Sequence, residues 1–426
     1  MIKAIWVLFF SLLLAGQTFA RPVPLNLEAA VAKAYSANLD LQTLKKQVEV
    51  ERAGEAKARS VFYPKLGLET RYESFSSAYI RQSGSTSGAF LEWNVFNGFQ
   101  DRFVLQAQGL AKQGSELRLA KFEQSLSWEV GLSFYRLLAA QEKINLFEQA
   151  LLRNAQQKEM ARKRKAAGLV SAADVLEFDL FESSLRSQRL THASDFREAQ
   201  AALRRILGDE EQSDFIPEGK LTHYHLDESL AEVLGRLNAG NVAISTGKLE
   251  VARAESMAKN VNGGFLPKLD LRATYGSRGL EDTLTAPETM LMGVAKWELF
   301  SGFDTLAARR EAAARVAQAE ASLRANSIRA RSEAEGAFTR LRSLQEQVDF
   351  EVKSKDQALK YYSAVSDEYR RGIKNSSDLR GASGQVLEVE LRDINHRLEF
   401  FEQKVRVEMA MGGPLKLSLG GVVHAE

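Results

Sequence analysis

The sequence contains no cysteine among its 426 residues, which excludes disulfide bonds and the attachment of lipid to a cysteine. It has no excess charge of either sign, with 57 Lys and Arg against 55 Asp and Glu, which argues against a nucleic-acid-binding protein. After its first residues it has no run of about 20 uncharged apolar residues, which excludes a transmembrane helix. Any part of the chain that enters a membrane must therefore do so as β-strands.

The amino terminus has the features of a secretory signal. Lys3 precedes an apolar run from Ile5 to Leu14, and the small residue Ala20 follows shortly after it. We expect residues 1–20 to be a signal peptide that is cleaved near Ala20, so that the mature chain leaves the cytoplasm. A single membrane anchor is the weaker alternative, because the apolar run is short for a bilayer.

The rest of the chain is an internal duplication. The motif Trp-x-x-Phe-(Asn/Ser)-Gly-Phe occurs at 93–99 and at 297–303, which are 204 positions apart (297 − 93). Further matches at an offset of 203 or 204 are Asn38 with Asn241, Pro64-Lys65-Leu66 with Pro267-Lys268-Leu269, Gly168 with Gly372, and Asp174 with Asp378. The correspondence predicts two structural repeats, 27–207 and 227–412, joined by a polar linker at 208–226 and followed by a tail at 413–426.

Each repeat shows the order helix, strand, strand, long helix, return helix. Alternation of apolar and polar residues after Pro64 is typical of a strand, and apolar residues at three- and four-residue steps after Phe99 are typical of a helix. Ser171-x-x-Asp174 resembles a capping box at the start of the return helix. The first repeat is predicted to have a helix at 27–60, strands at about 64–76 and 88–97, a Ser- and Gly-rich loop at 74–88, a long helix at 99–167 and a return helix at 174–207. The second is predicted to have strands at about 267–278 and 290–300, a long helix at 303–371 and a return helix at 378–411.

These lengths predict a mainly α-helical protein with membrane β-strands. A long helix of 69 residues (167 − 99 + 1) spans about 100 Å, which suits a tube or a spacer better than a globular enzyme. Four strands per chain cannot close a membrane barrel, which needs about eight, and an open sheet edge is not tolerated in lipid. Insertion into a membrane therefore requires an oligomer.

Each hairpin is predicted to turn one face to water and the other to lipid. The water face carries Glu69, Arg71, Glu73, Asp270 and Arg272, and the lipid face carries Leu66, Leu68, Leu269 and Leu271. Tyr72 and Tyr275 lie far from the helix ends of their strands, and Trp93 and Trp297 lie near them. This placement predicts an aromatic girdle at the two membrane interfaces, with packed core aromatics as the alternative.

The duplicated helix–hairpin–helix–helix order resembles the outer-membrane efflux proteins, the TolC-type channel-tunnels. The resemblance covers nearly the whole mature chain. Its specific parts are Phe62-Tyr63-Pro64 and Phe265-Leu266-Pro267 before the hairpins, Phe96-Asn97-Gly98-Phe99 and Phe300-Ser301-Gly302-Phe303 after them, and the turns Gly168-Leu169-Val170 and Gly372-Ile373-Lys374. The resemblance implies a homotrimer in the lipid of the cell outer membrane, in which three chains contribute four strands each to a 12-stranded β-barrel. The helices would form a long coiled-coil α-barrel tunnel in the periplasm.

The resemblance also implies a function and partners. The chain would be the channel-tunnel of a tripartite efflux or type I secretion system, conducting substrates passively outward from a periplasmic adaptor (membrane fusion protein) and an inner-membrane pump. The periplasmic gate is expected to involve Asp378, Asp174 and Lys374, and the adaptor-docking tips Gly168, Leu169, Val170, Gly372 and Ile373. One helical turn after Asp378, where the family often has another acid, this chain has Gly381, so the acidic ring is single or the entrance closes differently.

Ordinary structural roles are the alternatives for these residues. Asp174 and Asp378 are equally suited to capping helices, and the basic runs from Arg162 to Lys165 and at Arg370-Arg371 either complement helix dipoles or contact an acidic partner.

No nucleophile–base pattern, phosphate loop or zinc signature appears, so we expect no enzyme, no catalytic residue and no cofactor. His223-x-His225 lacks an accompanying cysteine or acidic cluster, so we expect no metal. The alternative to a channel is a soluble periplasmic coiled-coil scaffold.

Overall fold

The computed structural model describes residues 23–76, 81–209, 213–221, 228–280 and 286–411. The predicted signal peptide at 1–20, the predicted tail at 413–426 and the pair His223 and His225 lie outside the described residues. Among the helices that the structure describes, none combines the length and the apolar character needed to cross a bilayer.

The described chain follows the predicted duplicated order. The elements are β1 (Val23–Leu25), α1 (Leu27–Ala37), α2 (Leu39–Ser60), β2 (Lys65–Ser76), β3 (Arg81–Asn97), α3 (Gln100–Ala166), α4 (Ala172–Leu207), β4 (Phe215–Pro217), α5 (Leu230–Gly240), α6 (Val242–Asn262), a 3-10 turn (Gly263–Phe265), β5 (Lys268–Leu280), β6 (Ala286–Lys296), α7 (Asp304–Arg371) and α8 (Ser376–Met411). The mainly helical fold with two hairpins is therefore the one that the sequence predicts. The long helices α3 and α7 have 67 and 68 residues, so each is about 100 Å long.

The predicted helix at 27–60 is in fact two helices, because Asn38 interrupts it. The Asn38 side chain accepts a hydrogen bond from the Leu41 N–H at 2.8 Å and donates one to the Ile206 carbonyl oxygen at 2.7 Å. Asn241 separates α5 from α6 in the same way and accepts from the Ile244 N–H at 3.2 Å. An asparagine that caps one helix and anchors it to the return helix thus recurs at the same place in both repeats.

The two hairpins form one antiparallel sheet in the order β2-β3-β5-β6, with β3 pairing β5 to join the repeats. Partners in an antiparallel pair place their side chains on the same face. One row across the sheet is apolar and comprises Leu66, Leu91, Ala273 and Leu291, and the next row, on the other face, comprises Lys65, Glu92, Arg272 and Met292. The sheet therefore has an apolar and a charged face, and β2 and β6 are its unpaired edges.

The strand bounds differ from the predicted ones in both hairpins. The loop predicted at 74–88 is wrong over most of its length, because β2 continues to Ser76 and β3 begins at Arg81. Ser and Gly residues of this stretch pair through their main chain with β2, and from Gly84 onward also with β5, so the ladder does not depend on their side chains. The second return strand, predicted to reach 300, ends at Lys296, so Trp297 follows the strand instead of lying within it.

The predicted linker at 208–226 also contains structure. Its strand β4 pairs in parallel with β1, with Pro24 opposite Ile216. Lys33 forms an ion pair with Asp209 at 2.5 Å beside this small sheet. Residues 210–212 and 222–226 of the predicted linker lie outside the described residues. The paired part of the linker fastens the start of the first repeat at mid-length of the long helices.

The helices form a single layer, because each short helix packs beside half of a long one. Near the hairpins the order across the layer is α2, α3, α6, α7, and toward the far end it is α4, α3, α8, α7. Buried side chains fill the layer, including Trp128, Tyr135 and Phe401 at mid-length, where the rings of Tyr135 and Phe401 lie 4.0 Å apart. In the described chain α7 lies at one edge of the layer at both levels, and α2 and α4 lie at the other edge.

Candidate functional site

At the far end of the helices, each long helix turns into its return helix through a glycine with positive φ. Gly168 has φ of 72° and Gly372 has φ of 84°, a conformation that costs little only for glycine. The N–H of Leu169 donates to the Arg164 carbonyl oxygen and the N–H of Ile373 to that of Glu368, both at 2.9 Å. Each turn is therefore a Schellman motif. We call these two turns, residues 162–175 and 366–379, the tips.

The residue after each glycine is an exposed hydrophobe. Leu169 is 67% exposed and Ile373 is 66% exposed, whereas Val170 is half-buried. Because a hydrophobic residue at this position usually packs back on the helix, its exposure in both tips leaves two apolar side chains available to a partner.

Both acidic residues predicted for the gate begin a return helix. Asp174 accepts hydrogen bonds from the Ser171 N–H at 2.9 Å and from the Ser171 hydroxyl at 2.7 Å, which completes the predicted capping box. Asp378 accepts from the Asn375 N–H at 3.2 Å, and Asn375 in turn accepts from the Asp378 N–H at 2.9 Å. The capping roles that the sequence suggested as alternatives are thus present for both residues, and Lys374 lies beside the second box, half-buried.

The two tips of one chain are fastened to each other. The Arg164 guanidinium donates to the Tyr369 carbonyl oxygen. Arg380 forms an ion pair with Glu177 at 2.8 Å, and the Asp174 carboxylate also interacts with the hydroxyl of Ser376. These contacts between residues about 200 positions apart have no local signature, so the sequence did not predict them. Arg164 was predicted only as one member of a basic run, but its side chain binds the other tip of the same chain.

The pKa of Asp174 is lowered from its ordinary value of 3.8. The largest cause is the hydrogen bond from the Ser171 hydroxyl, followed by the one from the Ser171 N–H. Partial burial opposes the shift, while Ser376 and the positive charge of Arg164 add to it. Groups from both tips thus favour the ionised form of the Asp174 carboxylate.

At the other end, the charged face of the sheet carries a network that crosses three strands. Glu69 accepts from Arg71 and from Arg272, each at 2.6 Å, and Arg272 also reaches Glu92 at 2.9 Å. The Arg272 guanidinium lies 5.3 Å from the centre of the Phe90 ring. A cavity of about 270 Å³ opens beside this network and is lined in part by Glu69, Arg71 and Arg272. The residues predicted to line water, of those whose side chains are described, share this face.

The motif Trp-x-x-Phe-(Asn/Ser)-Gly-Phe forms the same junction in both repeats. The indole N–H of Trp93 donates to the Phe62 carbonyl oxygen and that of Trp297 to the Phe265 carbonyl oxygen, each at 3.1 Å. The phenylalanine that ends the motif adopts positive φ in both copies, 62° at Phe99 and 68° at Phe303. A left-handed phenylalanine is uncommon, and its ring packs edge-to-face on that of the first phenylalanine of the motif.

The four aromatic residues predicted for the girdle are all exposed in the single chain. Tyr72 and Tyr275 are 69% and 67% exposed on the apolar face, and Trp93 and Trp297 are 40% and 61% exposed near the helix junctions. The strand register places Tyr72, Trp93 and Tyr275 on the side of the sheet that also carries the exposed Leu66 and Leu68, whereas Trp297 lies just beyond the end of β6. Within the described residues, no group of three or more metal-ligating side chains lies close enough to hold a metal ion.

Comparison with known proteins finds one family. The model of the outer membrane efflux protein family matches residues 30–209 and 233–413, one match for each half of the duplication. The outer membrane efflux protein BepC of Brucella suis is 22% identical over 394 residues, covering 89% of this chain and 84% of BepC. The outer membrane protein VceC of Vibrio cholerae has a similar structure, with a TM-score of 0.80, 17% identity and coverage of 91% of this chain and 96% of VceC. The outer membrane channel CmeC of Campylobacter jejuni has a TM-score of 0.83, 15% identity and coverage of 91% and 85%.

Proposed function

Because this chain belongs to the outer membrane efflux protein family, we propose that three copies of it assemble into one continuous duct across the outer membrane and the periplasm. The family membership confirms the predicted resemblance, the outer-membrane location and the efflux function. Family and fold are those of channel proteins. We further propose that the protein is a homotrimer with adaptor and pump partners, that it has a periplasmic gate and that it conducts passively without catalysis.

The sheet is the observation that carries the proposal. One chain supplies four antiparallel strands whose edges, β2 and β6, have no partner strand in the described chain. Unpaired edge groups cannot be left in lipid, and four strands are too few to close a barrel. Three copies joined edge to edge give 12 strands, with the apolar face toward lipid and the charged face toward the lumen.

The helices support the same assembly. The two edge helices of the layer, α4 and α7, carry large hydrophobic side chains that a single chain leaves exposed. These are Leu176, Leu180 and Leu190 on α4 and Ile328, Phe350 and Val352 on α7. Burying such side chains contributes about 1.5–3 kcal/mol each, so pairing α7 of one copy with α4 of the next stabilises the ring. The closed layer would be a helical tunnel about 100 Å long.

The tips complete the duct at its periplasmic end. With their exposed Leu169 and Ile373 they are suited to bind an adaptor protein, which would connect the duct to an inner-membrane pump. Because Arg164 and Asp174 fasten the two tips together, we propose that adaptor binding weakens these contacts and opens the entrance. Asp378 and Lys374 would line the same entrance.

Reconstitution distinguishes this proposal from the soluble scaffold. The mature protein should remain with outer membranes after a carbonate wash, and the purified protein should form ion-conducting pores in planar lipid bilayers. A scaffold would be released by carbonate and would leave the bilayer non-conducting, and that pair of results would overturn the proposal.

A further inference from the structure

Two lysines lie directly opposite each other at the base of the second hairpin. Lys268, the first residue of β5, is the register partner of Lys296, the last residue of β6. Opposed like charges destabilise an antiparallel pair, so the stability of the sheet does not account for them. Both residues are exposed, and within the described residues neither side chain has an ion-pair or hydrogen-bond partner.

The acidic residues nearest along the chain form no ion pair with either lysine. Asp270 lies two residues after Lys268, but its carboxylate accepts a hydrogen bond from the Asn94 amide at 3.0 Å. Glu298 lies two residues after Lys296, beyond the end of β6, and forms no ion pair with it. The two ammonium groups are therefore free to bind an anion from outside the chain.

Both lysines belong to the charged face of the sheet. Strand alternation places Lys268 on the face of Asp270 and Arg272, and its register partner Lys296 shares that face with Met292. The opposite face carries the exposed leucines, so lipid phosphates are on the wrong side of the sheet for these lysines. In the proposed trimer, three such pairs would form a ring of six lysines where the sheet meets the helices.

The first repeat lacks this feature and so provides an internal comparison. Lys65 corresponds to Lys268 at an offset of 203, and Glu92 corresponds to Lys296 at an offset of 204. Lys65 is the register partner of Glu92, so the first hairpin opposes a positive to a negative charge. The opposed lysines are therefore a property of the second hairpin and not of the duplicated design.

We propose that Lys268 and Lys296 bind the anionic groups of solutes that pass through the duct, with multivalent phosphates or carboxylates as the class of ligand. Two ammonium groups offer six N–H donors, and charge-assisted hydrogen bonds to phosphate or carboxylate oxygens are the strong ones. The inference rests on the proposed channel function, because only a lumen brings solutes to this face.

The test uses the mature trimer in planar bilayers, with inorganic tripolyphosphate added as the probe. Wild-type current should be blocked in a concentration-dependent way, and Lys296→Glu should weaken the apparent affinity about tenfold or more. Lys296→Glu recreates the charge pattern of the first hairpin, so the variant is expected to fold. The double variant Lys268→Gln, Lys296→Gln should lose the block as well.

Lys65→Gln is the matched control and should change the affinity less than about twofold, since the register partner of Lys65 is the acidic Glu92 and not a second lysine. Equal loss in Lys65→Gln and Lys296→Glu, or no effect of Lys296→Glu, would contradict the proposed site. Absence of block in the wild type would contradict it too, while leaving the pores themselves as support for the channel. If the current were blocked only in bilayers that contain anionic lipid, the phosphate bound at the lysines would belong to the membrane. That result would overturn the proposal that the lysines bind solutes.

Discussion

The Arg164 guanidinium, in the last turn of α3, donates a hydrogen bond to the main-chain carbonyl oxygen of Tyr369 in the last turn of α7. Its central carbon also lies 4.7 Å from the centre of the Tyr369 ring, so a cation–π contact adds to the hydrogen bond. Tyr369 is fully buried, and its hydroxyl lies 3.4 Å from that of Ser376. One side chain thus holds the end of each long helix against the other.

Replacing Arg164 with alanine should loosen the tips. A hydrogen bond to a charged group contributes about 1.5–3 kcal/mol, which is roughly a tenfold or larger shift in a closed–open equilibrium. Single-channel recording of Arg164→Ala should therefore show larger or more frequent openings. Arg162→Ala is the control, because Arg162 is exposed. Matching traces for both variants and the wild type would remove Arg164 from the gate.

The capping box at Asp174 should give the start of α4 a defined pH dependence. The hydrogen bonds from Ser171 lower the folded-state pKa of Asp174 below its ordinary value of 3.8. A depressed folded pKa means that the stabilisation is complete above the unfolded value and is lost as the pH falls through the lowered one. Asp174→Ala should therefore destabilise this turn by about 1 kcal/mol at neutral pH and have little effect in strong acid.

Hydrogen exchange of the amides at 172–176 would measure this effect. Asp378→Ala serves as the control, because it removes the corresponding cap of α8 and should leave these amides protected. Protection that is equal in wild type and Asp174→Ala at neutral pH would show that the box does not stabilise the helix start.

The girdle prediction can be tested by fluorescence. Of the four tryptophans in the chain, Trp93 and Trp297 lie at the junctions, Trp128 is 4% exposed in the helical core, and Trp6 lies in the predicted signal peptide. Brominated lipids should quench the emission of Trp93 and Trp297 and spare that of Trp128. Single-tryptophan variants made with phenylalanine would separate the three signals. Strong quenching of Trp128 with unquenched junction tryptophans would contradict the membrane level proposed for the sheet.

The two faces of the sheet should differ in their tolerance of charge. Leu68 is 88% exposed on the apolar face, and its neighbour Glu69 lies on the charged face. A lysine toward the middle of the bilayer costs about 2–4 kcal/mol, so Leu68→Lys should strongly reduce the amount of assembled protein in outer membranes. Glu69→Lys, which faces the lumen, should reduce it much less. The reverse order would mean that the assignment of the faces is inverted.

Features with a local physical cause were predictable from the sequence. The period-two alternation after Pro64 identified a strand and its faces, and Ser171-x-x-Asp174 identified the capping box that the structure contains. The break at Asn38 was missed, although Asn38 caps α2 through the nearby Leu41 N–H and its match with Asn241 was visible; only its bond to Ile206 in the return helix depends on a distant contact. The asparagine was a local signal for a helix boundary, but it was interpreted only as a match between the two repeats.

Features that depend on tertiary contacts were not predictable. The positive φ of Phe99 reflects ring packing on Phe96, and a phenylalanine in itself disfavours that conformation. Likewise, the contact of Arg164 with Tyr369 joins residues 205 positions apart. The opposition of Lys268 and Lys296 could be recognised only from the strand register, because a shift of one residue moves the side chains of a strand to the other face of the sheet.

The central claim is that three chains close one another's sheet edges, and native mass spectrometry of the mature protein in detergent tests it most directly. The account predicts a single dominant species of three times the chain mass, which conducts ions when added to a bilayer. A monomer that stays dissolved in water without detergent and does not insert into bilayers would contradict it.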